Sequence, residues 1–81
     1  MTYDDGQIVQ IGDKVRLSDD RWHGVVVCLI EEGKFTAQYP ESAWGYLKIG
    51  ALVEFKEAGL VHYDTIEPDI ELVARATPQA F

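Results

Sequence analysis

Residues 25–30, VVVCLI, are apolar at every position, and four of the six are β-branched. The run is too short for an independent helix, and β-branched side chains suit a pleated strand. A strand with no polar side must be covered on both faces. That demand weighs heavily on a chain of 81 residues. A domain this small buries only ~60% of its unfolded surface, so its core is modest.

The rest of the chain is punctuated for short strands. KVRLS, residues 14–18, alternates, with Val15 and Leu17 on one face and Lys14, Arg16 and Ser18 on the other. Such alternation marks a half-buried strand. KFTAQY, residues 34–39, alternates likewise, after a turn in which Gly33 supplies the left-handed position. ALVEF places Ala51, Val53 and Phe55 on one face, and KEAG turns the chain into LVHY, residues 60–63. IELVARA closes the series with Ile70, Leu72 and Ala74 inward. Between the third and fourth runs, PESAWGYLKIG breaks the alternation. Pro40 suits the start of a helical turn, Glu41 suits its positive end, and Gly50 can end it, which predicts one helical turn near residues 41–47. Five to six short antiparallel strands at this spacing predict an all-β fold, and a small bent barrel closes its edges with the least material. The single domain is expected over residues 7–76, with frayed tails at 1–6 and 77–81.

The chemistry-bearing residues are sparse. One cysteine, Cys28, excludes an intrachain disulfide and a four-cysteine zinc site. It lies in the all-apolar run, where a thiol is buried and inert. The two histidines, His23 and His62, stand far apart and lack metal-ligand spacing. The glycines fall singly at turns, so no phosphate-cradling loop is present. These absences predict no catalytic residues, no metal and no cofactor. Fourteen acids against seven bases give a net charge of −7, which argues against sequence-independent nucleic-acid binding. No apolar run reaches the ~20 residues of a membrane helix. The opening MTYDDGQ lacks a signal pattern, so a cytoplasmic protein without membrane contact is expected.

The aromatics and outward apolar residues are more pointed. Tyr39 and Tyr63 fall on core faces. Trp22 and Trp44 interrupt polar loops and Tyr46 follows in the helical insert, where they either plug the barrel or anchor a partner. Leu52, Leu60 and Val73 fall opposite the expected core. Their patch is covered by a protein partner, by a second copy, or within the monomer by QIVQI or the helical insert. His62 shares that face with Glu54 across the hairpin, so the two are expected to pair.

IGDKVRL, GVVVCLI, VEFKEAGLVHY and the closing IELV together resemble the SH3-like small barrels, in particular their KOW-type and Tudor-type modules. The likeness covers about residues 11–75. It implies a small barrel and a binding role, whose ligands in such modules range from nucleic acids to peptides and modified tails. The acidic balance departs from the nucleic-acid-binding members. A fainter resemblance, carried by size, charge and aromatics rather than by a motif, is to small acidic bacterial immunity proteins and mobile-element accessory proteins. The expected function is a non-enzymatic protein-binding module, with an immunity or inhibitor-type role against a basic partner as its more pointed version. Trp22, Trp44, Tyr46, Leu52, Leu60 and His62 are its candidate contacts. The alternative is a nucleic-acid-binding KOW-like module using Lys14, Arg16 and Arg21. A small enzyme with His23 or His62 as base is the third class, for which 81 residues can barely enclose a substrate pocket.

Overall fold

The computed structural model describes residues 1–17 and 22–75. Five strands form: β1 (Lys14–Leu17), β2 (His23–Leu29), β3 (Ala51–Phe55), β4 (Gly59–Tyr63) and β5 (Ile70–Ala74). One short helix, α1 (Glu41–Trp44), runs directly into a 3-10 turn at Gly45–Leu47, and a further 3-10 turn spans Ile30–Glu32. The strands make one antiparallel sheet in the order β4-β3-β2-β1-β5. It is a four-strand meander whose fifth strand returns to pair with the first. The sheet is not closed into the expected barrel, since no pairing joins β4 to β5 among the described residues.

The helical turn expected at residues 41–47 is present as α1 and its 3-10 extension. Gly33 takes the left-handed conformation at φ 70° after the Ile30–Glu32 turn. Gly50 is required more strictly. Its φ is +86°, and a Cβ there would lie 2.0 Å from the carbonyl oxygen of Tyr63.

The sixth strand does not form. Lys34 bridges to Leu29, but residues 35–39 leave the sheet. Tyr39 donates its amide to the Thr36 carbonyl at 3.1 Å, and Pro40 then starts α1. This tight turn lets Phe35 and Tyr39 pack on the outer face instead of extending the edge.

Both faces of the sheet carry a core. On the inner face Val15, Val26, Leu29, Val53, Phe55 and Ile70 pack together. Trp22 leans on Phe55 with ring centroids 5.4 Å apart, and Tyr63 meets the same ring edge-on at 6.4 Å. A bulge in β2, between Val26 and Cys28, turns both Val27 and Cys28 to the outer face. There they join Ile30 and Leu52 under a lid of Phe35, Tyr39, Trp44, Leu47 and Leu60. From Val26 onward the VVVCLI run is thus explained by two covers, both from the same chain.

The N-terminal cover departs from the frayed tail expected at residues 1–6. Tyr3 is 3% exposed and Val9 1%, and both belong to the inner core. Thr2 bridges to Ile8, and the Val9 amide donates to the Met1 carbonyl at 2.9 Å. The segment is pinned by Asp13, which is wholly buried. Its carboxylate accepts from the Tyr3 hydroxyl at 2.7 Å, the Gln10 amide at 2.9 Å and the Arg75 guanidinium at 3.1 Å. Arg75 also donates to the Ile8 carbonyl at 2.8 Å. Residues 76–81, including the expected tail at 77–81, lie outside the described residues.

Burial, reinforced by the Asp13 carboxylate, pushes the Tyr3 phenol far above its ordinary value. A group whose pKa is raised by folding stabilises the fold fully below its unfolded pKa and loses that contribution as pH rises above it. Wild-type stability, measured by urea midpoint, therefore falls relative to Tyr3→Phe between about pH 9 and pH 11. An unchanged difference between the two proteins across that window would contradict this role. Asp13→Ala strands the half-buried Arg75 guanidinium and the buried Tyr3 hydroxyl, and it lowers stability by about 3 kcal/mol in the same measurement.

Candidate functional site

The outer face divides into a covered half and a bare half. The covered half lies under the insert of residues 35–47. Of the six residues expected to contact a partner, Trp44 and Tyr46 sit in this insert. Leu52 is 1% exposed and lies beneath it, so it offers no surface, which corrects the expectation of an outward patch there. Trp44 is a half-buried member of the lid, its ring tilted against Tyr39 at a centroid separation of 6.3 Å, and Leu60 of β4 is half-buried against the same cluster. Trp22 lies on the other side of the sheet against Phe55. The six candidates are therefore not brought together on one surface.

His62 and Glu54 do not pair either. In the β3–β4 register His62 stands opposite Leu52, while Glu54 stands opposite Leu60. The His62 Nε2 lies 2.9 Å from the Ile49 carbonyl, and Glu54 instead accepts from the Tyr39 hydroxyl at 2.8 Å. That hydrogen bond to a carboxylate raises the Tyr39 phenol above its ordinary value. Cys28 is buried, donates to the Tyr39 carbonyl at 3.2 Å, and has its thiol pushed up by desolvation. An inert packing role suits that environment.

Tyr46 is the exception among the candidates. It is 70% exposed, and Ile49, three residues on, is 50% exposed. Lys48 between them takes φ 69° as the cap that ends the Gly45–Leu47 turn, its amide donating to the Gly45 carbonyl at 3.1 Å.

The bare half is a groove of about 650 Å³. That volume falls within the range of ligand clefts, ~300–1,000 Å³. All five strands contribute to its lining, from Val73 of β5 to Gly59 of β4. Register explains the floor. Lys14, Val25, Glu54 and Leu60 stand opposite one another in turn across β1, β2, β3 and β4, and so form one rung of the outer face. Val25 and Val73 remain 36% and 54% exposed on it. The next rung is polar. Arg16 pairs with Glu71 at 3.1 Å, and His23 sits 3.9 Å from Glu57. The His23 amide donates to Glu57 at 3.0 Å, which holds that carboxyl below its usual range.

Lys14 and Lys56 meet a single carboxylate, Glu54, in the groove, whereas the whole chain carries 14 acids against 7 bases. The lining of the groove thus carries more lysine than carboxylate in an acidic protein. Val73 was legible as an outward apolar residue. Val25 was hidden, because an all-apolar strand does not say which of its residues the cover misses. Among the described residues no cluster of three or more His, Cys, Asp or Glu side chains is placed to hold a metal ion, and no helix is long and apolar enough to cross a membrane.

The division between cover and contact surface has a direct energetic signature. Leu52→Ala empties a filled site and lowers stability by about 3 kcal/mol. Tyr46→Ala changes it by less than about 0.5 kcal/mol. Urea unfolding of both variants, at constant m, checks the contrast. No protein-family model, curated protein or solved structure matches the chain.

Proposed function

We propose that the protein is a non-enzymatic binding module that receives a polypeptide partner in the bare groove of its outer sheet face. The observation that carries this reading is the half-covered face. The insert shields one apolar half of the sheet, while Val25 and Val73 stay exposed on the floor of the other. A solvated sheet face needs no such residues, and apolar side chains rimmed by charge favour contact with another chain. The meander with its returning fifth strand supports an SH3-like description of the scaffold, in open form. A cytoplasmic location belongs to the same reading.

The chemistry of the groove bears on which partner fits. Lys14 and Lys56 at its rim disfavour a basic ligand there, so an immunity or inhibitor role against a basic protein would have to use the acidic remainder of the surface. The nucleic-acid reading draws on Lys14, Arg16 and Arg21, of which Arg21 lies outside the described residues. It is weakened by Glu54 in the groove with Lys14, by the Arg16–Glu71 pair on the next rung, and by Phe55, which lines the groove but is 1% exposed and offers no stacking platform.

Selection from a random peptide library displayed on phage tests the reading. Peptides enriched on the wild-type protein should bind Val73→Asp at least tenfold more weakly, with the thermal melt of the variant unchanged. No enrichment, or equal binding to both proteins, would overturn it. A salt-sensitive gel shift with single-stranded oligonucleotides at low ionic strength would favour the nucleic-acid alternative instead.

A further inference from the structure

We infer that the open edge of β4 takes up an extended, basic segment of another polypeptide as a sixth strand of the sheet. The edge is a different surface from the groove, and the inference does not depend on the groove reading.

The backbone is the first argument. β4 ends the sheet, and no pairing joins it to β5 among the described residues. Hydrogen-bond direction alternates along an antiparallel strand. The Lys56 amide donates to the His23 carbonyl at 2.9 Å. Lys56 and Glu54 thus turn their backbone groups toward β2, and Phe55 and Val53 turn theirs toward β4. Gly59 and Val61 stand opposite Phe55 and Val53 and answer them. The backbone groups of Leu60 and His62 therefore face out of the sheet. An extended backbone offers donors and acceptors at the spacing that matches such a row, which is how sheet edges recruit peptides.

The side chains are the second. GLVHY carries no lysine, no proline and no shift in its register with β3. Those are the devices by which natural edges refuse a further strand. The other edge has its share of them. β5 meets β1 through a bulge, bears Glu71 and follows Pro68, and it shares a cleft with Tyr3, Asp4 and Asp5 of the N-terminal segment. On β4, Leu60, Val61 and Tyr63 remain half-buried, whereas Ala51, Leu52 and Val53 of β3 are at most 1% exposed. Leu60 packs on the outer face and Val61 and Tyr63 on the inner. β4 thus has the two-sided apolar character of an interior strand at the position of an edge. A sixth strand would cover what β3 and the insert leave open.

Charge selects the sign of the partner. Where β4 ends, Asp64 and Glu67 line a cleft with His62 and Tyr63, and no lysine or arginine contributes to it. Burial raises the Tyr63 phenol above its ordinary value, and the nearby Asp69 and Glu67 carboxylates raise it further. A strand bearing lysine or arginine meets these carboxylates, whereas an acidic strand is repelled by them and by the net charge of −7.

Amide hydrogen exchange on the full chain, followed by NMR, tests the inference. The probe is a capped heptapeptide alternating lysine and valine, at millimolar concentration. It should slow exchange at Leu60 and His62 at least tenfold, and a glutamate–valine counterpart should not. His62→Pro removes only an outward amide, so the sheet should keep its circular dichroism while the peptide's protection of Leu60 is lost. Peptides N-methylated at every valine, or at every lysine, give a reading independent of that variant's folding. Each blocks one of the peptide's two hydrogen-bonding edges, so one should bind at least tenfold more weakly and the other should bind as before. Unchanged exchange at Leu60 and His62, or tolerance of both methylations, overturns strand addition. Equal protection by the glutamate peptide overturns the basic partner. Protection at Val25 and Val73 alone would place the peptide in the groove, which overturns the edge and leaves the groove reading intact. Amides of Leu60 and His62 already protected without peptide, in a chain that sediments as a dimer, would assign the edge to a second copy and overturn the inference as well.

Discussion

Three separated parts of the chain converge on one wholly buried carboxylate. Asp13 takes hydrogen bonds from Tyr3, from the Gln10 amide and from Arg75, and Arg75 reaches on to the Ile8 carbonyl. A buried charge without partners costs several kcal/mol, so this arrangement holds only when all its donors are in place. The consequence is geometric. Tyr3 can meet Asp13 only if residues 1–9 fold beneath the sheet, and Arg75 can do so only if β5 has returned to the side of β1. An open sheet that lacks closing hydrogen bonds between its edge strands is thus fastened by side chains at the point where the chain's start, its first turn and its last strand meet. The apolar cover of the inner face, with Tyr3 and Val9 in it, depends on that fastening.

The outer face is solved by another device. The bulge at Val27 lets β2 present two successive side chains to the same side, and a short helix with its 3-10 extension lays Trp44 and Leu47 on top of them. Bulges locally increase twist and re-aim side chains. Here the re-aimed residues, Val27 and Cys28, define which half of the face is apolar enough to need the insert. The groove is what the insert leaves over.

Much of this was legible from alternation. β1, β3, β4 and β5 were marked by period-two patterns, and Val15, Val53, Phe55 and Ile70 were placed correctly on the core face. The helical turn was legible from Pro40, Glu41 and the break in alternation. KFTAQY alternates as well as any true strand, yet it is not one. A period-two pattern states that alternate residues seek cover, not that a neighbouring strand supplies hydrogen bonds, and Phe35 and Tyr39 find cover on the face instead of at the edge. The N-terminal segment was obscured for a related reason. Its Tyr3 is an isolated apolar residue among acids and glycine, and an isolated residue carries no period. Only the long-range bond to Asp13 explains its burial.

The same limitation separates the candidate contacts from the surface that the structure exposes. Leu52 and Leu60 are apolar residues on the outer face, and sequence pattern places them there correctly. It cannot place the insert above them, because which half of a face a loop covers is decided by the bulge register and by the length of the connection. The His62–Glu54 pairing failed at the same level of detail. Both residues point to the outer face, but register sets them on different rungs, where Ile49 and Tyr39 are the nearer partners. A face is therefore readable from local alternation, while a site within that face follows from tertiary placement. In this protein the placement leaves Val25 and Val73 exposed in a groove, with the Tyr39–Glu54 hydrogen bond joining its lining to the insert's packing.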